Sequence, residues 1–302
     1  MTEAVLVDGG RTLRAAPAAP AIKAPRNWDW LGLVPFLAFL ALFLVVPAFA
    51  VFSKAFVDEQ GNFGLEAFQD AFSGQNLDAF KFSVRLSALS AATGVVVGGF
   101  LAYAAASIRR PKWLRSLVTA FSGVAANLGG VPLAFAFIAL LGRQGLATRI
   151  LSELGYDLYG NGFQLDTTTG FVSVYSYFNI PLMVLITLPA IDGLKVAWRE
   201  ACANLGGTTF TYWRRIGLPV LLPSLLGGFL LLFANSFSAY ATARAMTDQS
   251  LIVPLRIQFY LSGDFAGQDQ LGFSLAAWMI IIMSVSMGLY WVLRKRAERW
   301  QS

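Results

Sequence analysis

The sequence predicts an all-α integral membrane protein with six transmembrane helices. Three observations carry this. Of the 302 residues, 56% are hydrophobic and only 13% charged, where a soluble domain averages about 45–50% and about 25%. The mean hydropathy is +0.60. The apolar residues also fall in unbroken runs of the roughly 20 residues that carry a helix across the hydrocarbon layer.

Residues 1–27 are rich in Ala and Pro and carry Arg11, Arg14, Lys23 and Arg26. They read as a disordered cytoplasmic tail, and 28–302 as one transmembrane domain. A cleaved signal peptide is the competing reading of the start. The first apolar run is too long for one, begins too late and has no small-residue cleavage site close behind it. The six spans are expected at about 31–52, 83–107, 117–141, 170–191, 220–243 and 271–293. The third holds Gly129, Gly130 and Pro132, and the fourth Pro181 and Pro189. Such residues are tolerated in membrane helices where neighbours satisfy the freed backbone groups.

Lys and Arg fix the orientation. Sixteen of the 23 lie in the tail, the two loops around 107–116 and 192–219, and the C-terminus; six lie in the other three loops. Both termini therefore face the cytoplasm. Acidic residues distribute the other way, with Asp58, Glu59, Glu66, Asp70 and Asp78 in the first outer loop. Arg85, just inside the second span near its outer end, reads as snorkelling to the interface.

Several functions are excluded. The net charge of +6 does not point to nucleic acid, because the basic residues form short clusters between apolar runs. There is no histidine, and Cys202 is the single cysteine, so no internal disulfide or cysteine metal site forms. No GxxxxGK[ST] phosphate loop occurs, so the chain does not hydrolyse ATP by that route. The span centres lack Asp and Glu, the acids that proton-driven carriers often use. The outer loops, roughly 26–30 residues long, are too short for a catalytic domain.

The segment 192–219 carries the mechanism. Leu194, Trp198, Ala201 and Leu205 share one face of a short amphipathic helix. Gly206 and Gly207 break it. A second short helix is expected over 208–216, closed by Pro219 before the fifth span. An amphipathic helix lying on the membrane surface is the plain alternative.

Glu200, Ala201, Gly206, Ile216, Leu218 and Pro219 resemble the EAA loop of ABC importer permeases: Glu-Ala-Ala, three residues, Gly, nine residues, Ile-x-Leu-Pro. Every spacing fits, and the single departure is Cys202 in place of the second Ala. Val131 to Phe135 with Gly142 and Gly145, Tyr177 to Met183, Phe233 to Asn235 and Ser238 to Ala243 resemble the polyamine (spermidine/putrescine) branch of that family.

The resemblance implies the type I importer permease fold and a transmembrane pore subunit of a prokaryotic inner membrane importer, not an enzyme. The solute would be a small one, polyamine or phosphonate-like. It also implies partners: two ATP-binding subunits, a second and related permease chain, an extracytoplasmic substrate-binding protein and membrane lipid, with no nucleic acid. ATP and Mg would be bound by the partner ATPase, and this chain would hold no cofactor. Coupling to the ATPase would fall to Trp198, Glu200, Ala201, Leu205, Gly206, Ile216 and Pro219.

The substrate pathway is expected at Asn127, Tyr177, Asn179, Asn235, Ser238 and Tyr240, polar residues inside spans whose competing role is helix–helix hydrogen bonding. Two other classes are weighed. A stand-alone secondary carrier would show paired discontinuous helices in an inverted repeat, and no such repeat is evident. A membrane enzyme would need a His, Cys or carboxylate constellation, and none is visible.

Overall fold

The computed structural model describes residues 7–8, 11–12, 32–57, 62–108, 111–247, 252–262 and 269–298. Most of the expected tail 1–27 lies outside them; within it Val7–Asp8 pairs antiparallel with Arg11–Thr12. Two units are distinguished, Met1–Ala50 and Val51–Ser302. The first carries most of an apolar helix, α1 (Val34–Phe56), and the second the remaining helices.

In chain order these are α2 (Glu66–Asp70), α3 (Gly74–Ser107), α4 (Lys112–Asn127), α5 (Gly130–Leu141), α6 (Leu146–Glu153) and α7 (Thr168–Asp192). Then follow α8 (Val196–Asn204), α9 (Thr209–Phe237), α10 (Tyr240–Met246), α11 (Val253–Leu261) and α12 (Asp269–Glu298). Among the described residues, six stretches are long and apolar enough to cross a membrane: α1, α3, α5 with α6, α7, α9 and the 269–295 part of α12.

The centre of the second unit is α7, whose apolar window is 61% buried against 17–33% for α3, α5 with α6, α9 and α12. Its Phe171, Val174, Tyr175 and Phe178 pack with Leu86 of α3, Leu133 of α5 and Ala243 of α10. Its Met183 packs with Leu232 and Phe237 of α9 and Leu275 of α12. Val184 and Leu188 pack with Ala102 and Ala105 of α3. Glycine makes the α3–α7–α9 packing this close. A Cβ on Gly98 would sit 2.5 Å from the Ile180 carbonyl oxygen, and one on Gly94 would sit 2.8 Å from Leu232 Cδ1.

The structure corrects several expected boundaries. The second span begins at Gly74 rather than 83. Its 34 residues extend about 51 Å, beyond the roughly 30 Å hydrocarbon layer, and Arg85 lies about three turns inside the helix. The third span is not continuous, because the chain leaves the helix at Leu128 (ψ 83°), is extended at Gly129 and resumes at Gly130 with φ +75°. That positive φ is a conformation glycine adopts without steric cost.

The fifth span starts eleven residues early, at Thr209, and stops at Phe237. Ala239, with ψ 91°, separates it from α10. Pro219 does not end the second loop helix. A widened turn over Trp213–Gly217 accommodates the proline, which lacks an N–H and crowds the carbonyl four residues back. The same device, at Ala41–Val45, precedes Pro47 in α1.

Candidate functional site

The segment between α7 and α9 folds as a helix, a tight turn and a second helix. Lys195 caps α8 in extended conformation and places its ammonium 5.7 Å from the Trp198 ring centre. The helix ends in a Schellman turn: the Gly206 N–H donates to the Ala203 carbonyl and the Gly207 N–H to the Cys202 carbonyl, both at 2.9 Å. That turn requires the left-handed conformation at Gly206, whose φ is +74°. The buried Cys202 side chain lies where α8 folds back on the turn, 2.5 Å from the position of a Cβ on Gly207. The small, apolar Cys202 therefore keeps this turn closed, which its departure from the Ala pattern did not reveal. The Thr208 hydroxyl accepts from the Thr211 N–H at 3.3 Å and opens α9.

This geometry brings Trp198, Ala201, Leu205 and Ile216 together with Cys202 and Val220 around an open cavity of about 550 Å³. Glu200 and Pro219 are exposed and do not line it. Leu205, at the turn, is 88% exposed, and Val196 and Phe210 are 70% and 71% exposed. The loop thus presents apolar surface at its tip.

The two interrupted spans meet. The Gly130 N–H, first in α5, donates to Thr242 Oγ1 of α10 at 2.9 Å, and Tyr175 OH of α7 donates to the Ala239 carbonyl at 2.9 Å. Backbone groups freed by both interruptions are thereby paired, as membrane burial demands. Thr242 was not among the polar candidates read from the sequence, since nothing in the linear spacing places it at a break, whereas Tyr175 was one of them.

The expected pathway residues fall into three settings. Asn127 ends α4 and is exposed, its amide donating to the Gly123 carbonyl at 2.8 Å. Asn235 and Ser238 end α9, and Tyr240 opens α10 with its hydroxyl bonded to Gln258. These four flank the two interruptions. Tyr177 lies between α4, α5 and α7, edge-on to Phe137. Asn179 is fully buried and donates to Ser236 Oγ at 2.8 Å, and Ser90 donates to the same oxygen at 3.1 Å. This three-helix polar knot faces no open space.

The described residues thus form a helical membrane protein with two interrupted spans and a helix–turn–helix between α7 and α9. Residues 94–299 match the family model for the binding-protein-dependent transport system inner membrane component, and the chain belongs to that family, the permeases of ABC importers. It is similar to a probable sulfate transport system permease protein of Helicosporidium sp. (21% identical; 84% of this chain and 90% of the relative). It is also similar to a molybdenum transport system permease protein of Mycobacterium tuberculosis (27% identical; 61% of this chain and 67% of the relative).

Among solved structures, a bacterial ABC transporter involved in alginate import shares the fold. Its TM-score is 0.66 at 20% identity, over 90% of this chain and 96% of that one. Other matches carry ferric and thiamine transport in their names; none of these relatives is named for a polyamine. The chain is a multi-pass inner membrane protein, and the broken helices that secondary carriers also use here belong to an ABC importer permease fold.

Proposed function

We propose that this permease forms half of a solute pore and is driven through its 192–219 loop by a cytoplasmic ATPase. Both termini lie in the cytoplasm. The exposed Leu205 at a glycine turn held by two hydrogen bonds is the observation that carries this reading. An apolar tip on a rigid turn costs free energy in water and fits a partner's cleft. Trp198, Ala201 and Ile216 line the cavity behind it, Glu200 is free to meet a polar group, and Gly206 fixes the turn. Because α9 runs unbroken through the widened turn at Trp213–Gly217 from Thr209 to Phe237, movement of the loop is passed along it to the break at Ser238. ATP and Mg belong to the ATPase pair. A second permease chain and an extracytoplasmic binding protein complete the assembly.

The solute is proposed to be a small anion rather than a polyamine. Asn127, Asn235, Ser238 and Tyr240 flank the breaks as neutral polar groups, and no Asp or Glu that would attract a polycation occurs in the chain segments around them, 121–134 and 231–246. The sulfate and molybdenum relatives support the same class. Thermal shift of the binding protein with sulfate, molybdate, thiamine and spermidine tests it; stabilisation by spermidine alone overturns it. For the coupling, a tagged chain purified in mild detergent brings down the ATPase, and Leu205→Asp releases it. Uptake by the isolated chain under an ion gradient would refute the assignment.

A further inference from the structure

An ion pair joins Arg115, in the first turn of α4, to Asp192, the last residue of α7. Asp192 stands three residues before Lys195, the cap of α8. Each charge lies at the wrong end of its own helix: a cation opposes the dipole at an N-terminus and an anion opposes it at a C-terminus. Neither serves its own helix, and each is compensated by the other. The side chains are 36% and 43% exposed, so the pair adds little to overall stability, and its placement needs another reason.

Next to the pair, Val118 of α4 and Ile191 of α7 pack against buried Ala105 and Leu188. An apolar cavity of about 630 Å³ runs beside α4 from Leu114 to Ala125, with Tyr177 and Pro181 of α7 on the facing wall. Along this cavity the Arg115–Asp192 pair is a polar fastening between α4 and α7. The α4 helix ends at Asn127, about 18 Å from Arg115, at the break before Gly130. Beyond the breaks α5 and α10 are tied to each other through Gly130 and Thr242.

The geometry points to the Arg115–Asp192 pair as a strut that passes movement of the 192–219 loop to α4. Both broken spans are then driven from the two ends of one loop, α9 directly as a continuous helix and α4 through the ion pair. Arg115 and Asp192 are positioning residues and line neither break. This inference rests on the coupling role proposed for the loop.

The test uses the permease purified with its ATPase in proteoliposomes, in a Cys202→Ala background, which keeps a small apolar side chain in the turn and restores the Ala of the loop pattern. One reporter is Asn127→Cys, at the end of α4, and the other is Asn235→Cys, at the end of α9. The rate of labelling by a membrane-impermeant maleimide is compared without nucleotide and with ATP plus vanadate. The parent changes several-fold at both reporters. Asp192→Asn and Arg115→Gln each abolish the change at 127 and leave it at 235, with the ATPase still bound. The exchange Arg115→Asp with Asp192→Arg restores it, and now both charges match their helix dipoles.

Retention of the response at 127 in both single variants overturns the strut, as does loss at both reporters or no recovery on exchange. A wild-type chain that brings down no ATPase overturns the coupling role itself.

Discussion

Glycine-to-alanine substitution gives opposite outcomes at three helical positions, and their order tests the packing of α3 on α7 and α9. Alanine in place of glycine inside a helix stabilises by about 0.5–1 kcal/mol when space is free. Gly123 has no atom within 4 Å of its would-be Cβ, so Gly123→Ala gains that amount. At Gly228 the Cβ would lie 2.7 Å from Met183 Sδ and 2.8 Å from its Cε. A thioether end adapts readily, so the gain and the strain offset to within about 0.5 kcal/mol.

At Gly98 the obstacles are the Ile180 carbonyl at 2.5 Å and Met183 Cβ at 2.7 Å, neither of which rotates aside. Overpacking costs about 1–3 kcal/mol, and with backbone in the way the cost falls in the upper part of that range, which leaves Gly98→Ala destabilised by up to about 2.5 kcal/mol net. Thermal denaturation of the detergent-solubilised chain, followed by far-ultraviolet circular dichroism, ranks the three as 123 above 228 above 98. A Gly98→Ala protein as stable as Gly123→Ala would show that α3 and α7 do not approach as described.

Three other outcomes are expected. Gly206→Val places a β-branched residue at φ +74°, a conformation that costs about 1–2 kcal/mol even for an unbranched side chain, and co-purified ATPase falls. Gly206→Asn, which tolerates that region, retains it, and equal retention by both variants would refute the role of the turn. Ser236→Ala strands the buried Asn179 amide at about 1–3 kcal/mol, while the double variant with Asn179→Leu recovers most of the loss in the same melting assay. Thr242→Val removes the acceptor of the Gly130 N–H at about 1 kcal/mol. Hydrogen exchange at the Gly130 amide then accelerates, and Thr242→Ser keeps it slow.

The loop shows how far a linear reading reaches. Trp198, Ala201 and Leu205 share a face at helical spacing, and Gly206 marks a terminator, so the helix and its turn were legible from residue types alone. Pro219 misled, because a proline is read as a stop unless the chain spends a widened turn to accommodate it. That choice depends on whether the flanking segments gain more by staying in one helix. Asn179 and Asn235 look alike in sequence, each a single amide in an apolar run. Only the packing of α3, α7 and α9 makes the first an internal tie and leaves the second exposed at a break.

The chain's composition and its apolar runs determined by themselves that it enters a membrane, because transfer from water to lipid acts on each segment separately. The tertiary structure decided where two spans break, which polar groups pair across those breaks, and that Arg115 meets Asp192. Those are contacts between residues tens of positions apart, and their energies exist only once the helices are side by side.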